Sequence, residues 1–530
     1  MKMKAIAIAV GASLLAITAP AMADQGPSTT TAPYVQAIAK GVKLTSILTT
    51  GDIVAGYKMG GIPDGLGAYD NGDGTFTVLM NHEIFANTTG PLGIVRAHGG
   101  KGAYVSEWVI NKKTLEVVSG ADLMKSVFQK AADGSWVPVP SVGTLGQTNA
   151  FARFCSADLA ERSAFFNEET RKGTKQRIFL NGEESGPTYQ RGLAHVATGP
   201  NKGKTYVLPW AAAANASWEN LLANPHSGDK TVVIGNADGG TNGIYVYVGK
   251  KKSTGNEVEK AGLIDGAVYR VAVNNTNVPE TRAVDAGLGL APNSRGNYEG
   301  SFVLVPGADP TNSVSTKFQR PEDGAWDKKN HNRYYFVTTD QMDAAKDGNL
   351  NADIAAGQVG RSRLWALNFK DSSKPDLGGT IEMLLDGSSD KVGYQMLDNI
   401  TVNDDGTLVL LEDVGNNQHN GKVWRYNPQT GSLAMLAGFD PLLFGDIGVK
   451  GSITKDEETS GVIDITKILG RDDDWTYNLF VAQNHAASND PETVEGGQLL
   501  LMKSRRASKH DHHHHHHDGD DRDHDDDRGE

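Results

Sequence analysis

The chain has 530 residues, 62 glycines, one cysteine and a formal net charge of −13. A single cysteine excludes an intramolecular disulfide framework, and the acidic balance argues against nucleic acid as a partner. The length allows a large core or a repeat architecture, so stability has to come from burial, from bound ions, or from both.

In chain order, Lys2 and Lys4 precede an apolar run, 5–17, too short to span a bilayer, and Ala21-Met22-Ala23 forms a small-residue A-x-A site. Residues 1–23 are predicted to be a Sec-type export signal, which implies a periplasmic or secreted protein. No later apolar run is long enough for a transmembrane helix, so no membrane insertion is expected. Short strands rich in Val, Ile, Tyr, Phe and Thr are predicted at 75–81, 104–110, 177–180, 205–208, 243–248, 268–273, 302–305, 333–338, 363–369, 407–411, 423–426, 478–482 and 498–502. Asp-Gly pairs such as Asp73-Gly74 and Asp405-Gly406 mark tight turns between them. Helical patterns are few, at 156–169 and 211–222, and do not alternate with the strands. The pattern argues against a doubly wound α/β fold, and an all-β fold is expected. Two β-sandwiches would satisfy the pattern. A β-propeller of six or seven blades with inserted loops and a few short helices, one domain over 24–508, is favoured.

Several predicted strands run into polar clusters: Asn81-His82-Glu83, Asn181-Gly182-Glu183-Glu184, Glu412-Asp413 and Gln483-Asn484-His485. Rigid apolar strands ending in hard oxygen donors suit calcium, which takes six to eight oxygens. The adjacent Glu183-Glu184 pair repels itself unless a cation or a proton intervenes. Other motifs fail. Gly203-Lys204-Thr205 mimics the end of a phosphate-binding loop, but Thr198 occupies its first glycine position. Asp347, Asn349, Asn351 and Asp353 alternate like a calcium loop, yet Ala352 replaces the turn glycine and Gln358 the closing glutamate. Cys155 reads as a buried small apolar residue in preference to a metal ligand or nucleophile. The tail from Lys509 holds eight histidines and nine acids. It is expected to be a disordered binder of divalent metals (residues 509–530) with no part in the fold.

On these residues the chain resembles the PhoX-type alkaline phosphatase family. The resemblance is carried by Asn81-His82-Glu83, Gly182-Glu183-Glu184, Arg320-Pro321-Glu322-Asp323-Gly324-Ala325-Trp326-Asp327, the segment from Gly243 to Lys250, and Leu397-Asp398-Asn399-Ile400-Thr401-Val402. It extends from about Gly60 to Met502. It implies a propeller whose axial pocket holds several ions, calcium and in one branch iron, and which hydrolyses phosphate monoesters. By matching position it implies metal ligands at Glu183, Glu184, Glu322, Glu83, His82, Asp398, Asn399, Glu412 and Asp413. No organic cofactor is expected. In the iron-containing branch a cysteine is expected directly before the Glu-Glu pair; Gly182 stands there, and Cys155 lies well upstream. An all-oxygen, calcium-dominated site is therefore expected in place of an iron–thiolate one. That branch also uses a twin-arginine export signal, which this chain lacks. The expected substrate is a small phosphorylated molecule. Arg320 is the expected phosphate contact, its other role being to pair with a neighbouring acid. A calcium-dependent propeller lactonase or esterase, and a non-catalytic calcium-binding scaffold, remain open on the sequence.

Overall fold

The computed structural model describes residues 24–214, 216–239, 242–307, 315–339, 362–388, 393–415, 420–445 and 452–506. The predicted export signal, the Asp347–Asp353 alternation and the His/Asp tail lie outside the described residues. The apolar strands form where their composition predicts. Thr75–His82, Arg333–Thr338 and Trp475–Asn484 are examples, each centred in an antiparallel sheet.

Among the described residues the strands assemble into six four-stranded blades around one axis, a β-propeller. The innermost strands are Pro63–Asp70, Ala157–Asp158, Trp218–Ala223, Pro321–Trp326, Leu397–Val402 and Glu457–Asp464, and each touches the next around the ring. The chain closes the ring on itself. Val42–Thr49 pairs antiparallel with Gly496–Arg505, so one blade takes its outer strand from the beginning of the chain and its other three from the end. Two neighbouring blades are joined by Tyr298–Pro306 into one continuous sheet.

Six apolar clusters fill the gaps between blades, one for each interface, and this fixes the blade number at six. The fully buried Trp108, Trp218 and Trp365 anchor three of them. Buried side chains of this size each contribute about 1.5–3 kcal/mol. The core thus lies between the blades, and the axis is left to polar groups.

The predicted helices do not form. Segment 156–169 becomes the short strand Ala157–Asp158, a turn of 3₁₀ helix at Arg162–Ala164 and the strand Phe166–Asn167. Segment 211–222 keeps helix only at Pro209–Ala213 and then enters the inner strand Trp218–Ala223. In both, the helical pattern read from the sequence gives way to pairing with the second strand of the same blade.

Candidate metal centre

In each blade the first strand runs outward from the start of its sequence and the second returns antiparallel. The beginning of one and the end of the other therefore meet on the same face of the ring. Both carry acids there. The inner strands begin Pro63-Asp64, Trp218-Glu219, Pro321-Glu322, Leu397-Asp398 and Glu457-Glu458, and Cys155-Ser156 lead into the remaining one. Their partners end near Glu83, Glu184, Asp238, Asp413 and His485. The five longer inner strands each carry a register shift, between Pro63/Leu66, Trp218/Asn220, Pro321/Gly324, Leu397/Ile400 and Ser460/Ile463. Bulges of this kind re-aim side chains, here toward the axis. Ile62, Arg153, Arg320 and Met396, each two residues before the inward-facing side chain, have φ of 51°, 51°, 54° and 49°. Non-glycine residues in this region cost about 1–3 kcal/mol each and mark functional sites.

Three groups of donors form a continuous line, each with its ligand atoms within 4.8 Å of one another: Asp64, Glu83 and Cys155; Cys155, Glu184 and Glu219; Glu219, Glu322 and Asp398. The Cys155 sulfur lies 2.8 Å from Glu184 Oε2 and 3.2 Å from Glu83 Oε1, so its one proton has two carboxylate acceptors within reach. Gln483 Nε2 donates to Asp64 Oδ2 at 3.0 Å and Glu83 Oε2 at 3.2 Å. Ser156 Oγ donates to Asn399 Oδ1 at 2.7 Å, and Asn399 in turn donates to Asp398.

Two arginines enter this acidic line. Arg153 Nε donates to Glu83 Oε1 at 2.6 Å, with Nη2 3.1 Å from Glu184 Oε2. Arg320 Nη2 donates to Asp238 Oδ2 at 2.7 Å and lies 3.1 Å from Glu322 Oε1. Even so, positive charge is short. Burial and then the Glu458 and Glu83 charges hold the Asp64 carboxyl well above its ordinary range. Burial and neighbouring acids do the same for Glu219, Glu322 and Asp398. Burial first pushes Glu184 and Glu458 up to about 8. Glu83 and Asp238 are exceptions: burial raises them, but nearby positive charge and hydrogen bonds, led by Arg153 and Arg320 respectively, together hold them down. Buried carboxylates so placed take up either protons or cations.

The donor set fits metal ions. It offers hard oxygens at both ends and one thiol where two groups meet, and Gln483 Oε1 is buried without a hydrogen-bond partner. At the other end of the axis, lined by the later halves of the inner strands, lies a cavity of about 530 Å³ that includes Asp158, Asp323 and Trp326. Among the described residues it has no comparable line of donors.

Of the residues expected from sequence, Glu83, Glu184, Glu322 and Asp398 converge in the line. Asn399 supports it, and Asp413 lies beside it, its carboxyl raised by burial. Three do not converge. Glu183 is fully buried but faces Arg191, which donates from Nε at 2.7 Å and Nη2 at 3.0 Å; the Ala152 N–H takes up further capacity. Alternation along the chain separates adjacent side chains, so the Glu-Glu pair does not share a cation. Glu412 accepts from Gln395 N, Lys422 N and Trp424 Nε1, binding its own blade together. His82 bonds Gly61 O and Ser106 Oγ and stacks on Tyr104.

The donor set differs from the all-oxygen expectation in including a thiol. Cys155 is not merely a small apolar filler; it sits where two donor groups meet. A side chain at position 182 has no room, because a Cβ there would lie 2.3 Å from Trp218 Cβ. The thiol arrives from the neighbouring inner strand instead. Asp64, Glu219, Asp238 and Glu458 were missed. Asp64, Glu219 and Glu458 each stand second in an inner strand, spaced too irregularly to read as a repeat, and Asp238 directly follows the end of a second strand.

A family model described as alkaline phosphatase PhoX matches residues 215–462. That span holds Glu219, Asp238, Arg320, Glu322, Asp398 and Glu458, and is narrower than the expected 60–502. The structure of PhoX from Pseudomonas fluorescens, solved in complex with vanadate, a transition state analogue, superposes with a TM-score of 0.58 at 12% identity. The match covers 91% of this chain and 98% of that one. A lectin from Burkholderia pseudomallei, BP39L, matches at a TM-score of 0.32 and 11% identity over 81% of this chain and 94% of that one, too distant to add to the assignment. No curated protein matches the sequence.

Proposed function

We propose, from a PhoX-type kinship seen in sequence over residues 215–462 and in fold over nearly the whole chain, that this protein is an exported metal-dependent phosphatase acting on phosphate monoesters. The observation that carries the reading is the line of buried donors at one end of the axis. Its carboxylates cannot all ionise without added positive charge.

Asp64, Glu83, Cys155, Glu184, Glu219, Glu322 and Asp398 are the residues that would hold the ions. Calcium suits the oxygen donors, and a softer ion such as iron suits the position beside Cys155. Bound cations polarise phosphoryl oxygens and lower the pKa of water, which is the chemistry a phosphomonoester needs.

The chain's own groups supply recognition. Arg320 presents a planar guanidinium to the anion, the geometry that matches phosphate oxygens. Asp238 accepts from both its Nε and Nη2 and so fixes the plane of the fork. Gln483, from the neighbouring blade, donates to both Asp64 and Glu83 and so braces the two blades against each other. His485, held between Glu495 at 2.7 Å and Glu458 at 3.8 Å, keeps a proton well above its ordinary pKa despite burial and adds positive charge at the rim.

The test is hydrolysis of an aryl phosphate and an aryl ester by metal-reconstituted protein, with and without chelator. Chelator-sensitive turnover of the phosphate alone supports the phosphatase. Turnover of the ester alone favours an esterase, and calcium-dependent folding with neither turnover favours a scaffold.

A further inference from the structure

Arg153 has no assigned role, and its geometry parallels that of Arg320. Each stands two residues before an inward-facing donor, Cys155 or Glu322, with φ of 51° and 54°. Each backbone is pinned. Arg153 N donates to Ile84 O at 3.0 Å and its carbonyl accepts from Glu184 N at 2.9 Å, while the Arg320 carbonyl accepts from Thr339 N at 3.0 Å. Each guanidinium touches a nearly inaccessible carboxylate yet keeps much of itself exposed. The Arg153 side chain is 42% exposed against 6% for Glu83 and 7% for Glu184, and Arg320 is 31% exposed against 5% for Asp238. Both charges act on Glu184, which lies between them. Among the described residues neither Nη1 has a hydrogen-bond partner.

A buried neutralising arginine would spend all its donors on carboxylates and show little surface. These two use part of the fork inward and leave the rest facing outward. From this we infer that Arg153 and Arg320 form a two-arginine clamp over Glu184 that binds the terminal phosphoryl group from two sides. Arg153 is thus a second binding residue for the anion. The inference rests on the phosphatase reading for its substrate, but the clamp itself requires only an oxyanion. Two guanidiniums match the double charge of a monoester phosphate, and each contributes a charge-assisted pair of hydrogen bonds.

The experiment titrates inorganic phosphate calorimetrically into full-length protein reconstituted with calcium and ferric ions. Wild type, Arg153→Met and Arg153→Lys are compared, with metal content and unfolding temperature measured on the same samples. Weakening of phosphate binding by at least tenfold in Arg153→Met, with a smaller loss in Arg153→Lys and unchanged metal content, supports the clamp. Unchanged phosphate affinity overturns it, as does loss of metal or of folding in both variants, which would make Arg153 structural. Aryl phosphate hydrolysis separates the two claims. Arg153-dependent phosphate binding without turnover keeps the clamp and removes the phosphatase. Turnover with phosphate binding indifferent to Arg153 does the reverse.

Discussion

Stripping the bound ions should make the protein's stability fall as pH rises from 5 to 8. Glu184 and Glu458 are fully buried and pushed up to about 8, whereas an unfolded glutamate titrates near 4.5. A group whose folded pKa is raised stabilises the fold below its unfolded pKa, and that contribution is lost as pH climbs through the folded value. At pH 7 each carboxyl has cost about 3 kcal/mol relative to acid conditions, from about 1.36 kcal/mol per pKa unit. The pair together costs on the order of 5 kcal/mol, less than the sum because neighbouring sites titrate together. With an unfolding entropy of about 2.1 cal/mol/K per residue over the roughly 440 described residues, that corresponds to roughly 5 °C in Tm. The assay is thermal unfolding from pH 5 to 8 with chelator and with saturating calcium. The metal-free midpoint should fall with pH while the calcium-loaded midpoint stays level, since bound cations replace the protons. A flat metal-free profile, or the same slope with and without calcium, would refute the reasoning.

Three substitutions extend the account. Glu219→Gln removes a donor shared by two groups, so bound metal should decrease by elemental analysis and aryl phosphate turnover should drop at least tenfold. Glu183→Gln breaks the buried pair with Arg191 and should cost about 3 kcal/mol in urea unfolding while metal content is retained. Gly182→Ala places a Cβ against Trp218 and should destabilise by about 1–3 kcal/mol, so restoring a cysteine there should not build a second thiol ligand.

The blades were legible in the sequence where strands are sandwiched between apolar neighbours. Arg363–Phe369 and Thr75–His82 read as strands because burial on both faces selects Val, Leu, Phe and Trp. The inner strands were not legible, and the reason is functional. Pro63–Asp70 reads PDGLGAYD, Pro321–Trp326 reads PEDGAW and Glu457–Asp464 reads EETSGVID. Proline, glycine and paired acids are poor strand formers. They are tolerated because the axis wants ligands, bulges and close approach of backbones in place of packing. The residues that build the site are thus the ones that hide its strands. Glu83, Glu184, Glu322 and Asp398 were found because motifs or strand ends marked them. Cys155 was misjudged because distance along the chain hides the antiparallel pairing of Ala157–Asp158 with Ile178–Gly182, which brings the thiol beside Glu184 within one blade.

The central claim is that this end of the axis is a catalytic cluster of several ions. Its most direct measurement is the return of aryl phosphate hydrolysis as chelated protein is titrated with calcium and ferric ions. The account predicts no turnover without metal and recovery that saturates only above one equivalent per chain. Full activity in the metal-free protein, or fully loaded protein that hydrolyses nothing, would contradict it.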